Sequence, residues 1–252
     1  MSKKDKDKGA TGIDSRARRP RALAGRGSGA AGERSRELIV AVDGPAGAGK
    51  STAARSLAAA LGYVYVDSGA MYRAVGWKAM REGVPFEDEE AVARLAAASA
   101  IDVTADAVTI DADDVTRAIR TPEIDRAAAA VARLPRVREV LVERQRRLGR
   151  DGAIVMEGRD IGTVVFPRAD VKIYLDASAE ERARRRASDP AHSGGPAAVS
   201  EVATLLTQRD ESDRTRKVSP LYAAADATVV DTTGKPIAQV VSEVLAIVRA
   251  AR

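Results

Sequence analysis

The chain has no cysteine and a single histidine, His192, among its 252 residues. The first absence excludes disulfides, thiolate metal sites and a cysteine nucleophile. The second removes a Ser-His-Asp triad and any multi-histidine metal centre. The sequence holds no apolar run of the roughly 18 residues that a membrane-crossing helix needs, so no membrane span is expected. Charge begins at Lys3 and no apolar stretch follows it, so the start is not read as a secretory signal. The expected location is the cytoplasm, which the lack of cysteine also suits. Phosphoryl transfer survives all these exclusions, because it works through positioned cations rather than a side-chain nucleophile.

The formal charge of +5 is unevenly placed. Residues 1–36 hold 11 basic and 4 acidic side chains, leaving 30 and 32 in residues 37–252. The first segment is Gly, Ala, Arg, Lys and Ser with almost no large apolar side chain, and it reads as a disordered basic tail. The whole chain is 45% apolar, and the body is nearly neutral, so no specific nucleic-acid partner is expected.

Gly44-Pro45-Ala46-Gly47-Ala48-Gly49-Lys50-Ser51 is a complete G-x-x-x-x-G-K-[ST] phosphate-binding loop. The apolar run 38–42 before it reads as a buried parallel strand. Residues 52–61, from Thr52, are rich in helix formers and close on Gly62. Strand, glycine loop and helix together form the context in which such a motif binds ATP. Backbone N–H groups of the loop make an anion nest at a helix N-terminus. Lys50 can reach the outer phosphates, and Ser51 can place its hydroxyl on Mg²⁺.

The body alternates strand and helix signals. Residues 63–66, 153–156, 171–175 and 227–230 read as further strands, and 135–148, 179–187, 199–210 and 237–249 as helices. The pattern implies a doubly wound α/β domain over 37–252, with a parallel sheet of about five strands and helices on both faces. Residues 101–104 and 107–111 alternate with period two around a polar turn, with Val115 in phase. They predict a small antiparallel insert, placed at about 95–134.

Acidic and basic residues cluster where the strands end, the edge at which open parallel sheets bind ligands. Arg73, Arg159, Arg209, Arg214 and Arg216 lie beside acids at positions read as sheet edges or loops. Guanidinium forks bind phosphate in bidentate fashion and do not titrate near neutral pH. Water as acceptor would make an NTPase; a second bound phosphate would make a kinase. The arginines favour the phosphate acceptor. Arg182, Arg184, Arg185 and Arg186, followed by a Gly/Pro-rich stretch, read as a lid at about 182–198. Its arginines could cover the donor phosphates, while Arg184 could equally belong to a solvated face.

From about Glu37 onward the chain resembles the bacterial cytidylate kinases. Asp67-Ser68-Gly69-Ala70-Met71-Tyr72-Arg73 and Gly158-Arg159-Asp160-Ile161-Gly162-Thr163-Val164-Val165-Phe166-Pro167 carry most of the resemblance. Pro135-Arg136-Val137-Arg138 and Arg209-Asp210, Asp213, Arg216 extend it in the same order. The resemblance implies transfer of the ATP γ-phosphoryl group to CMP or dCMP by a monomeric enzyme using Mg²⁺. It implies an acceptor-phosphate clamp of Arg73, Arg159 and Arg216 with Arg209 beside them. Asp213 would contact the ribose, Arg138 and Asp160 the cytosine, and Ser68 would line the same pocket. Lys50, Arg159, Arg182 and Arg186 would act on the transferring group, and the insert would bind the nucleoside monophosphate. Ala129 stands where the family pattern often has a serine on the base. A P-loop kinase for another small acceptor is the remaining alternative.

Overall fold

The computed structural model describes residues 37–189 and 199–251. The expected disordered tail, residues 1–36, lies outside the described residues, as do 190–198 of the expected lid, with His192. In chain order, β1 (Ile39–Asp43) leads through the phosphate loop into α1 (Lys50–Leu61), followed by β2 (Val64–Asp67) and α2 (Ser68–Arg81). Then come α3 (Glu89–Ala98), the short strands β3 (Ile101–Val103), β4 (Val108–Ile110) and β5 (Asp113–Asp114), and α4 (Pro122–Val131). The second half holds α5 (Pro135–Leu148), β6 (Ile154–Gly158), a π-helical turn (Ile161–Val165) and β7 (Val171–Asp176). It ends with α6 (Ala179–Ala187), α7 (Val199–Thr215), β8 (Thr228–Asp231) and α8 (Ile237–Ala250).

Five strands form one parallel sheet in the order β2-β6-β1-β7-β8. Alternate side chains of β1 serve opposite faces. Val40 and Val42 pack with Leu57 of α1 and with Val240 and Val244 of α8. Ala41 packs with Met156, with Val142 of α5 and with Ile161. Burial on both faces explains why these strands read as unbroken apolar runs. The central register sets Asp43 beside Gly158 and Tyr174, so the polar ends of β1, β6 and β7 arrive together.

The antiparallel insert is β3-β4-β5, in which Ile110 and Val108 pack with α2, α3 and α4. Its third strand is Asp113–Asp114, with Val115 just beyond it and buried. Helix starts follow side-chain chemistry. Asp67 accepts from the Ala70 N–H at 3.1 Å, Thr121 from Ile124 at 3.2 Å ahead of Pro122, and Ser178 from Glu181 at 3.2 Å.

Two placements differ from the sequence reading. Arg73 lies in α2, not at a sheet edge, because Asp67 ends β2 and caps α2 without an intervening loop. The helix expected to stop near Asp210 runs to Thr215, so Arg209, Asp213 and Arg214 also ride on a helix, and only Arg216 lies beyond it. Positions one turn apart on α7 share a face, which places Arg209 and Asp213 together.

Candidate active site

The C-terminal edge of the sheet opens into a cleft of about 460 Å³. One end is the phosphate loop, in which Gly44, Gly47 and Gly49 take positive φ. At Gly47 the backbone also runs against α6: a Cβ there would lie 2.9 Å from the Arg182 carbonyl oxygen. Ala46, Gly47, Ala48, Gly49, Lys50, Ser51 and Thr52 line this end. Gly44 and Pro45 shape the loop behind it. Thr232, Lys235, Ile237 and Val240 form the facing wall. Arg185 closes the corner, donating to the Thr232 hydroxyl at 2.9 Å and to its carbonyl at 2.7 Å.

Lys50 is buried, because it opens α1 beneath the loop. Its ammonium donates to the Pro45 carbonyl at 2.8 Å. Burial and then the neighbouring Arg159 lower its pKa to about 7, against the pull of Glu157, Asp43 and Asp67. Glu157, at the end of β6, accepts from the Tyr65 hydroxyl at 2.5 Å. Burial, with Asp67 beside it, pushes the Glu157 carboxyl above its usual range. Asp43 accepts from the Ile161 and Gly162 N–H groups at 2.8 and 2.7 Å, while burial raises its pKa to about 6.

The opposite end brings together the residues assigned to the acceptor. Arg138 pairs with Asp160, both buried, and its guanidinium lies 5.5 Å from the centre of the Tyr72 ring. Arg216 donates to the Ser219 carbonyl at 2.5 Å and lies 3.5 Å from Asp160. Arg159 donates to Asp213 at 3.0 Å. Burial opposes ionisation of Asp213, but Arg159, Arg209 and Arg216 together hold its pKa below the usual carboxylate range. Ser68 donates to the Glu157 carbonyl at 2.7 Å and lines the cleft with Ala129.

Arg209 keeps an unsatisfied buried donor, as Arg216 does at Nη2. The Arg209 Nε is buried and has no hydrogen-bond partner among the described residues. Burial, then Arg159 and Arg73, lower its pKa to about 10. Its Nη1 lies 3.2 Å from Asp125, so the guanidinium is neutralised on one side and keeps a spare buried donor on the other.

The expected lid divides. Arg186 lines the cleft and pairs with Asp125. Arg182 does not line it; its guanidinium reaches the Ala46 carbonyl at 3.2 Å, the Ala177 carbonyl at 3.1 Å and Asp210 at 2.5 Å. Arg184 is exposed and pairs with Glu181 on its own helix. The wall also holds residues that the sequence reading did not assign to the site, among them Glu157, Tyr72 and Arg120, the last 3.7 Å from Asp67. Glu157 was legible by position, since it sits at a strand end that holds site residues, and Tyr72 by its place next to Arg73 in α2.

A phosphate loop at one end of the cleft and a cluster of arginines at the other, on a parallel sheet, define a P-loop kinase. The chain belongs to the cytidylate kinase family, whose sequence model matches residues 40–250. It is 49% identical over 218 residues to a cytidylate kinase of Pelotomaculum thermopropionicum, covering 84% of this chain and 96% of that one. It is 46% identical over 216 residues to a cytidylate kinase of Solibacter usitatus, covering 85% and 93%. A cytidylate kinase of Desulfitobacterium hafniense is 47% identical over 215 residues, covering 84% and 93%.

Proposed function

We propose that this enzyme transfers the γ-phosphoryl group of ATP to CMP or dCMP, with the donor on the loop 44–52 and the acceptor between α2, α5, β6 and α7. The observation that carries the acceptor side is the buried, unpaired Nε of Arg209 among Arg73 and Arg159. A nucleotide's dianionic phosphate supplies the acceptor that this Nε lacks, and charge beyond what one carboxylate gives three arginines.

The acceptor phosphate is its own nucleophile. One of its oxygens bonds to the γ-phosphorus as the bond to the β–γ bridging oxygen breaks, and that electron pair leaves on ADP. A phosphate oxygen already lacks its proton near neutral pH, so no general base is required. Lys50 at the donor end and Arg159 at the acceptor end lie near enough to feel each other's charge, and they stabilise charge as it moves between the two ends. Arg73, Arg209 and Arg216 orient the acceptor phosphate, and Asp213 accepts from the ribose hydroxyl. Arg186 reaches the same space from α6. Arg182 acts through the position of the loop rather than on the phosphates.

Mg²⁺ fits the donor end chemically. The Ser51 hydroxyl and the Glu157 and Asp67 carboxylates offer hard oxygen donors next to the loop. Among the described residues no group of three or more such side chains could hold a metal by itself. The ion would therefore come with the ATP phosphates, with Ser51 as its protein contact, and would neutralise charge on the transferring group.

Arg138 and Asp160 set the base. Cytosine offers an amino donor to the Asp160 carboxylate, and acceptors to Arg138. Among the described residues no helix is long and apolar enough to cross a membrane, and the reading is of a cytoplasmic monomer. The deciding experiment is a coupled ADP-release assay with CMP, dCMP, UMP, AMP and GMP as acceptors. Turnover highest with CMP and dCMP supports the reading; preference for AMP or GMP overturns it.

A further inference from the structure

Asp125 is the point on which three arginines of the cleft converge. Arg73 Nε lies 3.1 Å from its Oδ1, and Arg209 Nη1 lies 3.2 Å from the same oxygen. Arg186 donates to its other oxygen. These arginines come from α2, α7 and α6 respectively, while Asp125 is in the first turn of α4. Its place relative to Arg73 is fixed by tight packing. A Cβ on Gly76 of α2 would lie 3.1 Å from the Ala127 Cβ of α4, so these helices pack close to backbone contact.

Two oxygens of one carboxylate therefore engage three guanidiniums, two of them assigned above to the acceptor phosphate. The geometry points to Asp125 as a resident anion that occupies the acceptor-phosphate subsite and is displaced from its arginines by the incoming phosphate. The inference rests on the acceptor assignment above and adds a specificity device to it. A dianionic phosphate offers three oxygens and twice the charge, so it can win guanidiniums from Asp125. A singly charged ion of similar size has a smaller electrostatic advantage. Between turnovers the carboxylate also offsets the mutual repulsion of Arg73, Arg209 and Arg186.

A subsite whose arginines are held elsewhere binds its ligand more weakly by the fraction of time they are engaged. Asp125→Asn keeps the shape and removes the competing charge. It should lower KM for CMP by roughly three- to tenfold, and strengthen binding of inorganic phosphate to the nucleotide-free enzyme by a similar factor. Inhibition by cytidine, which lacks the phosphate, should stay the same. The nucleotide-free variant should melt at lower temperature than wild type, and added inorganic phosphate should restore it.

The test measures phosphate by calorimetry and CMP by steady-state kinetics, in wild type, Asp125→Asn and Arg73→Ala. If Arg73→Ala binds phosphate as wild type does, the acceptor assignment fails and takes this inference with it. If Arg73→Ala weakens phosphate but Asp125→Asn does not strengthen it, the assignment stands and Asp125 is no competitor. A raised KM for CMP in Asp125→Asn would make Asp125 a support for the arginines, which also overturns displacement. An equal change in cytidine inhibition would show a general change of the pocket and count against the inference.

Discussion

Arg138, from α5, and Asp160, just past β6, form an ion pair whose side chains are only 3% and 7% exposed. Breaking a buried pair leaves its partner uncompensated. Here Arg216 also lies 3.5 Å from Asp160, so the carboxylate is held from two sides while one edge faces the cleft.

That edge supports a prediction about base choice. Uracil would present a carbonyl to the Asp160 carboxylate with no proton between them, a buried mismatch costing about 1–3 kcal/mol. Wild type should prefer CMP to UMP by roughly 5- to 150-fold in kcat/KM. Asp160→Asn should narrow the ratio, because an amide can donate as well as accept. An unchanged ratio in a folded variant would remove Asp160 from base recognition.

Lys50→Met should lower kcat by a factor of about 100 or more, the scale of losing a charge aimed at the transition state. Lys50 is buried, so melting temperature must be followed in parallel. A variant folded like wild type with near-normal kcat would contradict the assignment.

ATP binding should take up a proton above about pH 7, the value to which burial lowers Lys50 in the empty site. The nucleotide's phosphates favour the ammonium, so the neutral amine must gain a proton on binding. ATP affinity should then fall as pH rises from about 7 toward 9. Calorimetry in two buffers of different ionisation enthalpy at about pH 8 reads the uptake directly, and Lys50→Met should abolish it. Zero uptake in wild type would mean the lysine is already charged.

Arg216→Ala should cut kcat/KM for CMP at least about tenfold, the worth of a charge-assisted bidentate contact, with little effect on KM for ATP. The reverse pattern would move Arg216 to the donor side.

Much of this architecture was legible because burial on both faces writes itself as apolar runs. The parallel strands lie within a residue or two of where those runs placed them, and α5 starts at Pro135, which fits only a first turn. The start of α2 was hidden, because Asp67-Ser68-Gly69 has turn composition, and only the Asp67 side chain on the Ala70 N–H makes it a helix start. The π-helical turn 161–165 was hidden for a similar reason. Its Thr and Val residues suit a strand, but Asp43, over 100 positions earlier, takes the first two N–H groups of the turn. The arginine set was visible by type and not by role. Nothing local separates Arg182, pointed at the loop from behind, from Arg186, which reaches the cleft. Asp125 carried no motif at all, since its meaning comes from three helices meeting.

Arg182 acts like the fixed jaw of a caliper. Through one guanidinium it joins the Ala46 carbonyl of the donor loop to Asp210 of α7, the residue after Arg209 and one turn before Asp213. On the substrate positions proposed above, the gap between donor and acceptor is therefore a dimension of the protein frame. Reaction needs the attacking oxygen and the phosphorus about 3–3.5 Å apart, and a preset gap suits one length of acceptor. A nucleoside diphosphate would overfill it, so each acceptor should receive a single phosphoryl group. CDP offered in place of CMP should release no ADP, and steady release would show that the jaw slides.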